Sequence, residues 1–190
     1  MNVYDFDKTI YDGDSTQDFI IYAFLRDFSL LRYIPKQAYA FIAWKLGMKT
    51  KTQFKESLFS MFLGIDDIDR WVNDFWAKKK IKLKLFYFKQ KREEDLIISA
   101  SPEFLLTPIC QQLGVTLIAS VVDKKTGQYT GENCFGEEKV RRFEKAGYAK
   151  ADVEAFYSDS YSDSPLAELA KEAYLVKGEV CYPWEWQYKS

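Results

Sequence analysis

The segment Asp5-Phe6-Asp7-Lys8-Thr9 sets two carboxylates two positions apart, just after a short apolar run. On a strand continued through these residues, Asp5 and Asp7 point the same way. Two acids on one face repel, which costs free energy unless a proton or a cation compensates them. Mg2+, held by carboxylate, backbone carbonyl and water oxygens, is the hard-ion solution. With the metal and nearby donors offsetting the charge of a phosphate, Asp5 could attack phosphorus and form an aspartyl-phosphate. Asp7 would then protonate the leaving oxygen and afterwards activate water. A solvated acid pair at a strand end is the plain alternative, and these two residues alone do not decide between them.

Composition removes most competitors. The 190 residues include no histidine, which excludes a Ser-His-Asp triad, a phosphohistidine and a His-rich zinc site. Acid–base chemistry near neutral pH falls to carboxylates, Lys, Tyr or Cys. Lys and Arg total 27 against 28 Asp and Glu, so there is no basic field for nucleic-acid phosphates, and no nucleic-acid partner is expected. Cys110, Cys134 and Cys181 are odd in number and lack metal-ligand spacing, as suits free thiols in a reducing compartment. The first strand starts at Asn2 and leaves no room for a signal peptide, so a cytoplasmic location is expected.

Further along, Asp159 and Asp163 in Ser158-Asp159-Ser160-Tyr161-Ser162-Asp163 could share the metal, one directly and one through water. Asp163 stands ahead of Pro165, so capping of the next helix is its alternative role. Ser99 ends an apolar run, where its hydroxyl and the N–H of Ala100 would cradle a phosphate. Lys139 lies near a predicted helix start, an unfavourable place for a cation unless an anion such as phosphate or Asp5 compensates it. Lys145 is a weaker competitor for that role.

These residues need elements to bring them together. Short apolar runs at 2–6, 96–99, 115–119, 153–157 and 174–176 read as strands, the first four of them buried. Helices are predicted over 103–113, with Pro102 in its first turn, and over 136–146 and 165–172; a hairpin over 120–130 turns near Thr126-Gly127. From Ser15 to Lys91 the apolar spacing is helical throughout, as in Phe54, Leu58, Met61 and Phe62. Strand and helix alternate on either side of this insert, so the expected fold is α/β: a doubly wound, Rossmann-like parallel sheet carrying an inserted α-helical cap. The core would be 1–14 with 92–190, and the cap 15–91. Ligands bind beyond the carboxyl ends of such strands, where Asp5, Ser99 and Asp159 would meet.

Taken in order, Asp5-x-Asp7-x-Thr9, Ser99, Lys139 and the pair Asp159 and Asp163 resemble the haloacid dehalogenase superfamily of phosphatases. The helical insert after the first motif is similar to the type 1 cap of its phosphoserine phosphatase-like branch, subfamily IB. The resemblance implies Asp5 as nucleophile, Asp7 as acid–base, and Mg2+ on Asp5, the Asp7 carbonyl and Asp159, with Asp163 beside them. It places Thr9, Ser99, Ala100 and Lys139 at the phosphate. Having Asp7 implies a phosphatase or phosphomutase rather than a dehalogenase. Lys8 replaces the glycine common at the fourth position of the first motif. Asp14 stands where an acidic cap residue would hold a substrate ammonium, but the arginine for the carboxylate of phosphoserine is missing from Phe54 to Phe62, and that clamp is not replaced by Phe and Met.

The segment 33–45 is rich in aromatic, apolar and lysine residues. That composition suits either a helical core or peripheral contact with lipid headgroups. The Gly136 to Val140 and Tyr161 to Ser164 segments resemble the phosphatidylglycerophosphatase C family. A small-molecule or lipid phosphate is therefore the expected substrate and partner, with the oligomeric state open. Transfer of the phosphoryl group to another acceptor, or a non-catalytic binding module on the same fold, are the rival readings.

Overall fold

Val3 and Tyr4 are fully buried, with Leu96 and Ile97 beside them on one flank and Phe156 and Tyr157 on the other. The computed structural model, which describes residues 1–185, places this short run at the centre of a six-stranded sheet. Along the chain come β1 (Asn2–Tyr4), α1 (Ser15–Arg26), α2 (Ile34–Lys45), α3 (Lys51–Phe59), α4 (Ile68–Lys79) and α5 (Leu85–Gln90). They are followed by β2 (Leu96–Pro102), α6 (Glu103–Leu113), β3 (Thr116–Ser120), α7 (Glu137–Lys145) and β4 (Ala155–Ser158). Then α8 (Ser164–Ala167), β5 (Glu172–Lys177) and β6 (Val180–Pro183) complete the described chain. Strand order is β3-β2-β1-β4-β5-β6; the first five are parallel and β6 runs antiparallel to β5.

Alternate residues of each strand enter two different cores, as the two-residue period of a strand requires. Tyr4, Ile97 and Tyr157 pack with Leu105, Leu106 and Ile109 of α6 on one face. Val3, Leu96, Ile98 and Phe156 pack with Phe143 of α7 and Leu166 of α8 on the other. This is the doubly wound α/β arrangement expected from the alternation of elements, and α6 has the predicted bounds.

Several boundaries differ from expectation. β1 stops at Tyr4; Phe6 turns inward against Tyr11 and Trp76. Pro102 is not in the first helical turn but ends β2 as the extended N-cap of α6. The helix predicted over 165–172 is only the single turn α8, because the chain enters β5 at Glu172. β6 was not anticipated: Lys177 pairs with Val180 across Gly178-Glu179, and Gly178 has the positive φ that so tight a hairpin demands. Residues 186–190 of the expected core segment lie outside the described residues.

The insert leaves the sheet at Asp12 and returns at Lys82, whose carbonyl accepts the Asp12 N–H at 2.8 Å; Lys84 N–H then bonds to the Ile10 carbonyl at 2.9 Å. α5 follows this return and packs on the sheet side, Tyr87 meeting Tyr4 edge-on at 5.1 Å. The hairpin over 120–130 forms as predicted and lies against the insert. Gly127 is close enough to the Phe59 carbonyl that a Cβ would stand 2.5 Å from it.

Trp76 of α4 joins insert to core. It is fully buried, donates its indole N–H to the Leu105 carbonyl of α6 at 2.6 Å, and meets Phe6 and Tyr11 edge-on. Trp76→Phe removes that hydrogen bond and part of the ring, so urea unfolding should show a loss of about 2 kcal/mol. A change under about 0.5 kcal/mol would mean that this side chain does not couple the two parts.

Candidate active site

Every strand that carries a motif ends at the same edge, and the reactive side chains meet there. Asp5 directly follows β1, its N–H held by the Tyr157 carbonyl at 2.9 Å. Lys139, in the first turn of α7, is 2% exposed and reaches two carboxylates at once: Asp5 Oδ1 at 2.7 Å and Asp163 Oδ2 at 2.7 Å. The Ser158 hydroxyl at the end of β4 also donates to Asp163 Oδ2, at 2.8 Å. The unfavourable position of a lysine at a helix start is therefore compensated by two acids from the protein itself.

Asp7 lines the same cleft as Asp5 but has different partners. Its Oδ1 accepts the N–H of Ser15, the first residue of α1, at 2.6 Å, and its Oδ2 accepts the Ser101 hydroxyl at 2.5 Å. Ser101 was not singled out from the sequence. It reaches Asp7 because β2 bulges after Ser99, so that Ser99 pairs with Ala119 but Pro102 pairs with Ser120, and the two extra residues turn toward the cleft. The second serine of Ser99-Ala100-Ser101 was the available signal.

Thr9, expected at the phosphate, is fully buried, and its hydroxyl accepts the Asp159 N–H at 2.9 Å. It ties the first motif to the last and does not line the cleft. Asp163, expected beside a metal, lines the cleft and pairs with Lys139; although it is the N-cap residue of α8, its side chain makes no capping bond. Asp14 lines the cleft and caps α1, accepting the Gln17 N–H at 2.9 Å. Ser99 lines the cleft and accepts the Ser101 N–H at 3.1 Å, while the Ala100 carbonyl accepts Lys55 Nζ at 3.1 Å. Lys55, from α3, is a second residue that the sequence did not single out. It reaches the core only because α3 folds over the strand ends. Lys145 does not line the cleft.

Both acids of the first motif are raised, chiefly by burial. Burial pushes the Asp5 carboxyl up to about 7; Lys139 opposes this, but its single ammonium is shared with Asp163, whose charge raises Asp5 further. Burial and the charge of Asp14 raise Asp7 to about 6 against the hydrogen bonds from Ser101 and Ser15. Burial works against the charge of Lys139, yet Asp5 and Asp163 outweigh it and hold the ammonium above its ordinary range. Burial lifts Asp159, whose carboxylate takes no hydrogen bond or ion pair from another described residue. Burial and Lys51 bring Lys55 down to about 8.

Asp5, Asp7 and Asp159 thus share one cleft of about 580 Å3 with more carboxylate than cation among them. Among the described residues, no group of three or more His, Cys, Asp and Glu side chains is gathered as a metal cage. The acidic residues that line the cleft offer only oxygen donors, with no His or Cys among its lining residues. This donor set fits a hard ion that keeps several waters and does not fit a transition-metal site.

The profile of the haloacid dehalogenase-like hydrolases matches residues 3–168. The chain belongs to that family. A histidinol-phosphatase of Neisseria meningitidis serogroup C (strain 8013) is 32% identical over 103 aligned positions, covering 46% of this chain and 45% of that protein. The match therefore spans less than half of that relative's length. Among solved structures, a protein of unknown function from Bordetella pertussis Tohama I is similar with a TM-score of 0.71 at 23% identity, covering 91% of this chain and 87% of that one. A probable phosphoserine phosphatase from Vibrio cholerae has a TM-score of 0.61 at 14% identity over 90% of this chain and 55% of its own. At these identities the structures establish the shared fold of this hydrolase. No helix of the described residues is long and apolar enough to cross a membrane.

With no histidine in the chain, Asp5 and Asp7 are the carboxyls displaced into the range between pH 5 and 8. Their folded-state values lie above the ordinary carboxylate value, so the folded protein binds protons more tightly than the unfolded chain. The stability this contributes is full below about pH 4 and is lost as pH rises through about 6 to 7. Metal-free protein in EDTA should therefore melt at a higher temperature at pH 5.5 than at pH 7.5. A flat or opposite dependence would contradict this electrostatic description.

Proposed function

We propose that this hydrolase is a Mg2+-dependent phosphomonoesterase that works through an aspartyl-phosphate on Asp5 and acts on a small-molecule or lipid phosphate. The observation that carries this reading is the division of labour in the first motif. Asp5 keeps one oxygen free of protein partners beside a buried ammonium, while both oxygens of Asp7 are held, by the Ser15 amide and the Ser101 hydroxyl, with its carboxyl raised to about 6. A group that must both give and take a proton works best at such a value. The Neisseria relative, a histidinol-phosphatase, agrees with it.

The free oxygen of Asp5 attacks phosphorus and the bond from phosphorus to the ester oxygen breaks, the leaving oxygen taking the proton of Asp7. Water then attacks the phosphorus of the aspartyl-phosphate and gives a proton back to Asp7; the bond from phosphorus to Asp5 breaks, releasing phosphate. Mg2+ would be held by Asp5, the Asp7 carbonyl and Asp159, and would supply charge neutralisation and polarisation of the phosphoryl oxygens. Lys139 holds Asp5 in place and offsets charge at the same point, and Ser99 with the Ala100 amide faces the phosphoryl group. Ser101 and the Ser15 amide keep Asp7 aimed into the cleft.

The helices α1–α4 (residues 15–82 with their turns) act as the cap in this reading, with α5 belonging to the core. They present Trp44, Phe54 and Leu58 with Lys51 and Lys55 to the cleft. Such a wall suits a leaving group with an apolar or aromatic part and an anionic group, and it gives phosphoserine no arginine.

Asp5→Asn should abolish hydrolysis of an aryl phosphate, by roughly 10³-fold or more, and EDTA should do the same reversibly. Retention of activity in either case would refute the reading. Independently of turnover, Mg2+ should raise the melting temperature of the wild-type protein more at pH 7.5 than at pH 5.5, because protons and metal compete for the same carboxylates. No shift with Mg2+ at pH 7.5 would remove the metal from the mechanism. Lys55→Met should raise KM for a substrate with a second anionic group several-fold while leaving kcat within about threefold. A loss confined to kcat would instead place Lys55 at the reacting centre.

A further inference from the structure

A helix on a protein surface normally turns its large apolar side chains inward. α4 does so, burying Ile68, Val72, Phe75 and Trp76. α2 is built the other way. Its buried stripe is Gln37, Ala40 and Ala43, small enough to let the helix lie close on α3, with Gln37 donating to the Leu58 carbonyl at 2.9 Å. Its outer side carries Ile34, Tyr39, Phe41 and Ile42, and Leu46 follows at its end; Tyr39 is 63%, Ile42 56% and Leu46 67% exposed. Phe28 and Leu31, just before the helix, extend the same exposed apolar patch.

The charge of this surface is as one-sided as its polarity. From Phe28 to Lys51 there are five basic residues, Arg32, Lys36, Lys45, Lys49 and Lys51, and no acidic one, in a chain whose net charge is −1. No carboxylate among the described residues pairs with any of the five. Lys45 instead lies over the Trp44 ring at 4.7 Å, and Lys51 over Phe135 at 4.1 Å. Phe41, Trp44 and Lys51 also wall the catalytic cleft, so the patch and the mouth of the cleft are continuous.

We propose that the cap surface spanning Phe28 to Lys51 docks on an anionic lipid bilayer, with α2 lying in the interface. Large apolar and aromatic side chains mixed with unpaired lysines match both components of such a surface: acyl boundary for the first, acidic headgroups for the second. A second copy of the chain is the poorer occupant. Symmetric pairing would set five basic residues against five, with no acid within either segment to relieve them. The docking does not depend on the phosphatase reading, but it would hold the cleft mouth at the headgroup layer and so favour phosphates carried on lipids.

Vesicle co-sedimentation tests this on the full chain. Wild-type protein should bind vesicles of phosphatidylcholine with phosphatidylglycerol at least about tenfold more tightly than vesicles of phosphatidylcholine alone, and 0.5 M salt should release it. Ile42→Glu with Leu46→Glu, and separately Lys36→Glu, should each weaken binding about tenfold or more. None of these three side chains lines the cleft, so hydrolysis of an aryl phosphate in lipid-free buffer should stay within about twofold of wild type. Failure of wild type to bind either vesicle, or binding that ignores both lipid charge and the substitutions, overturns the proposal. So does a lipid-free dimer that the Ile42→Glu, Leu46→Glu variant converts to monomer, since the face would then belong to a second copy. Vesicle binding by a protein that hydrolyses no phosphate ester would leave the docking standing and remove the catalytic reading.

Discussion

One ammonium group organises the site. Lys139 is buried, and among the described residues the ion pairs that compensate it are with the two carboxylates it touches, one from the end of β1 and one from the turn after β4. An uncompensated charge in such a place costs several kcal/mol, so the three groups must arrive together or not at all. The start of α7 and the carboxyl ends of the two central strands are thereby tied to one point. α7 is a strongly polar helix whose buried residues are Lys139 and Phe143, one turn apart. Phe143 fixes its height on the sheet, and Lys139 fixes its rotation.

The second constraint is the short length of β1. Had the strand continued through Phe6, Asp5 and Asp7 would lie on one face and compete for the same cation. The chain instead turns, with both the Ile10 and Tyr11 N–H groups on the Phe6 carbonyl and Phe6 packed under Trp76. Lys8 takes the left-handed φ of 58° that glycine adopts without strain, and its carbonyl accepts Lys84 Nζ. Asp7 is thereby carried to the amide end of α1 and the Ser101 hydroxyl, into surroundings unlike those of Asp5. Two neighbouring acids acquire different partners and can take different roles. Because Trp76 belongs to the insert, the turn after β1 is buttressed by α4.

The insert is anchored through α4 and through the hairpin that touches Phe59, while α2 stands outermost with its large side chains turned out. The inner and outer helices of the insert therefore obey opposite patterns for one reason. The inner helix buries its apolar face against the core, and the outer one has only the small residues of its stripe against a neighbour. An outward face of this kind, basic and apolar together, is the part of the molecule least explained by folding alone.

Much of the framework was legible in the chain itself. Strands buried on both faces show as unbroken apolar runs, α6 is bounded by Pro102 and Gly114, and the order of Asp5, Ser99, Lys139 and Asp159 places four reactive groups at strand ends or a helix start. The absence of histidine left acid–base chemistry to carboxylates, Lys, Tyr or Cys before any contact was known. What could not be read were the partners. Thr9 holds a backbone amide 150 positions away, Ser101 meets Asp7 across 94, and Lys55 reaches Ala100 from another layer. The amino-acid sequence by itself determined which groups could react and roughly where each would sit along its element. Only the tertiary structure decided that Asp163 neutralises Lys139 and that Asp5 and Asp7 take different partners, because hydrogen-bond partners, and the burial that shifts pKa values, depend on neighbours brought together by packing, not by spacing.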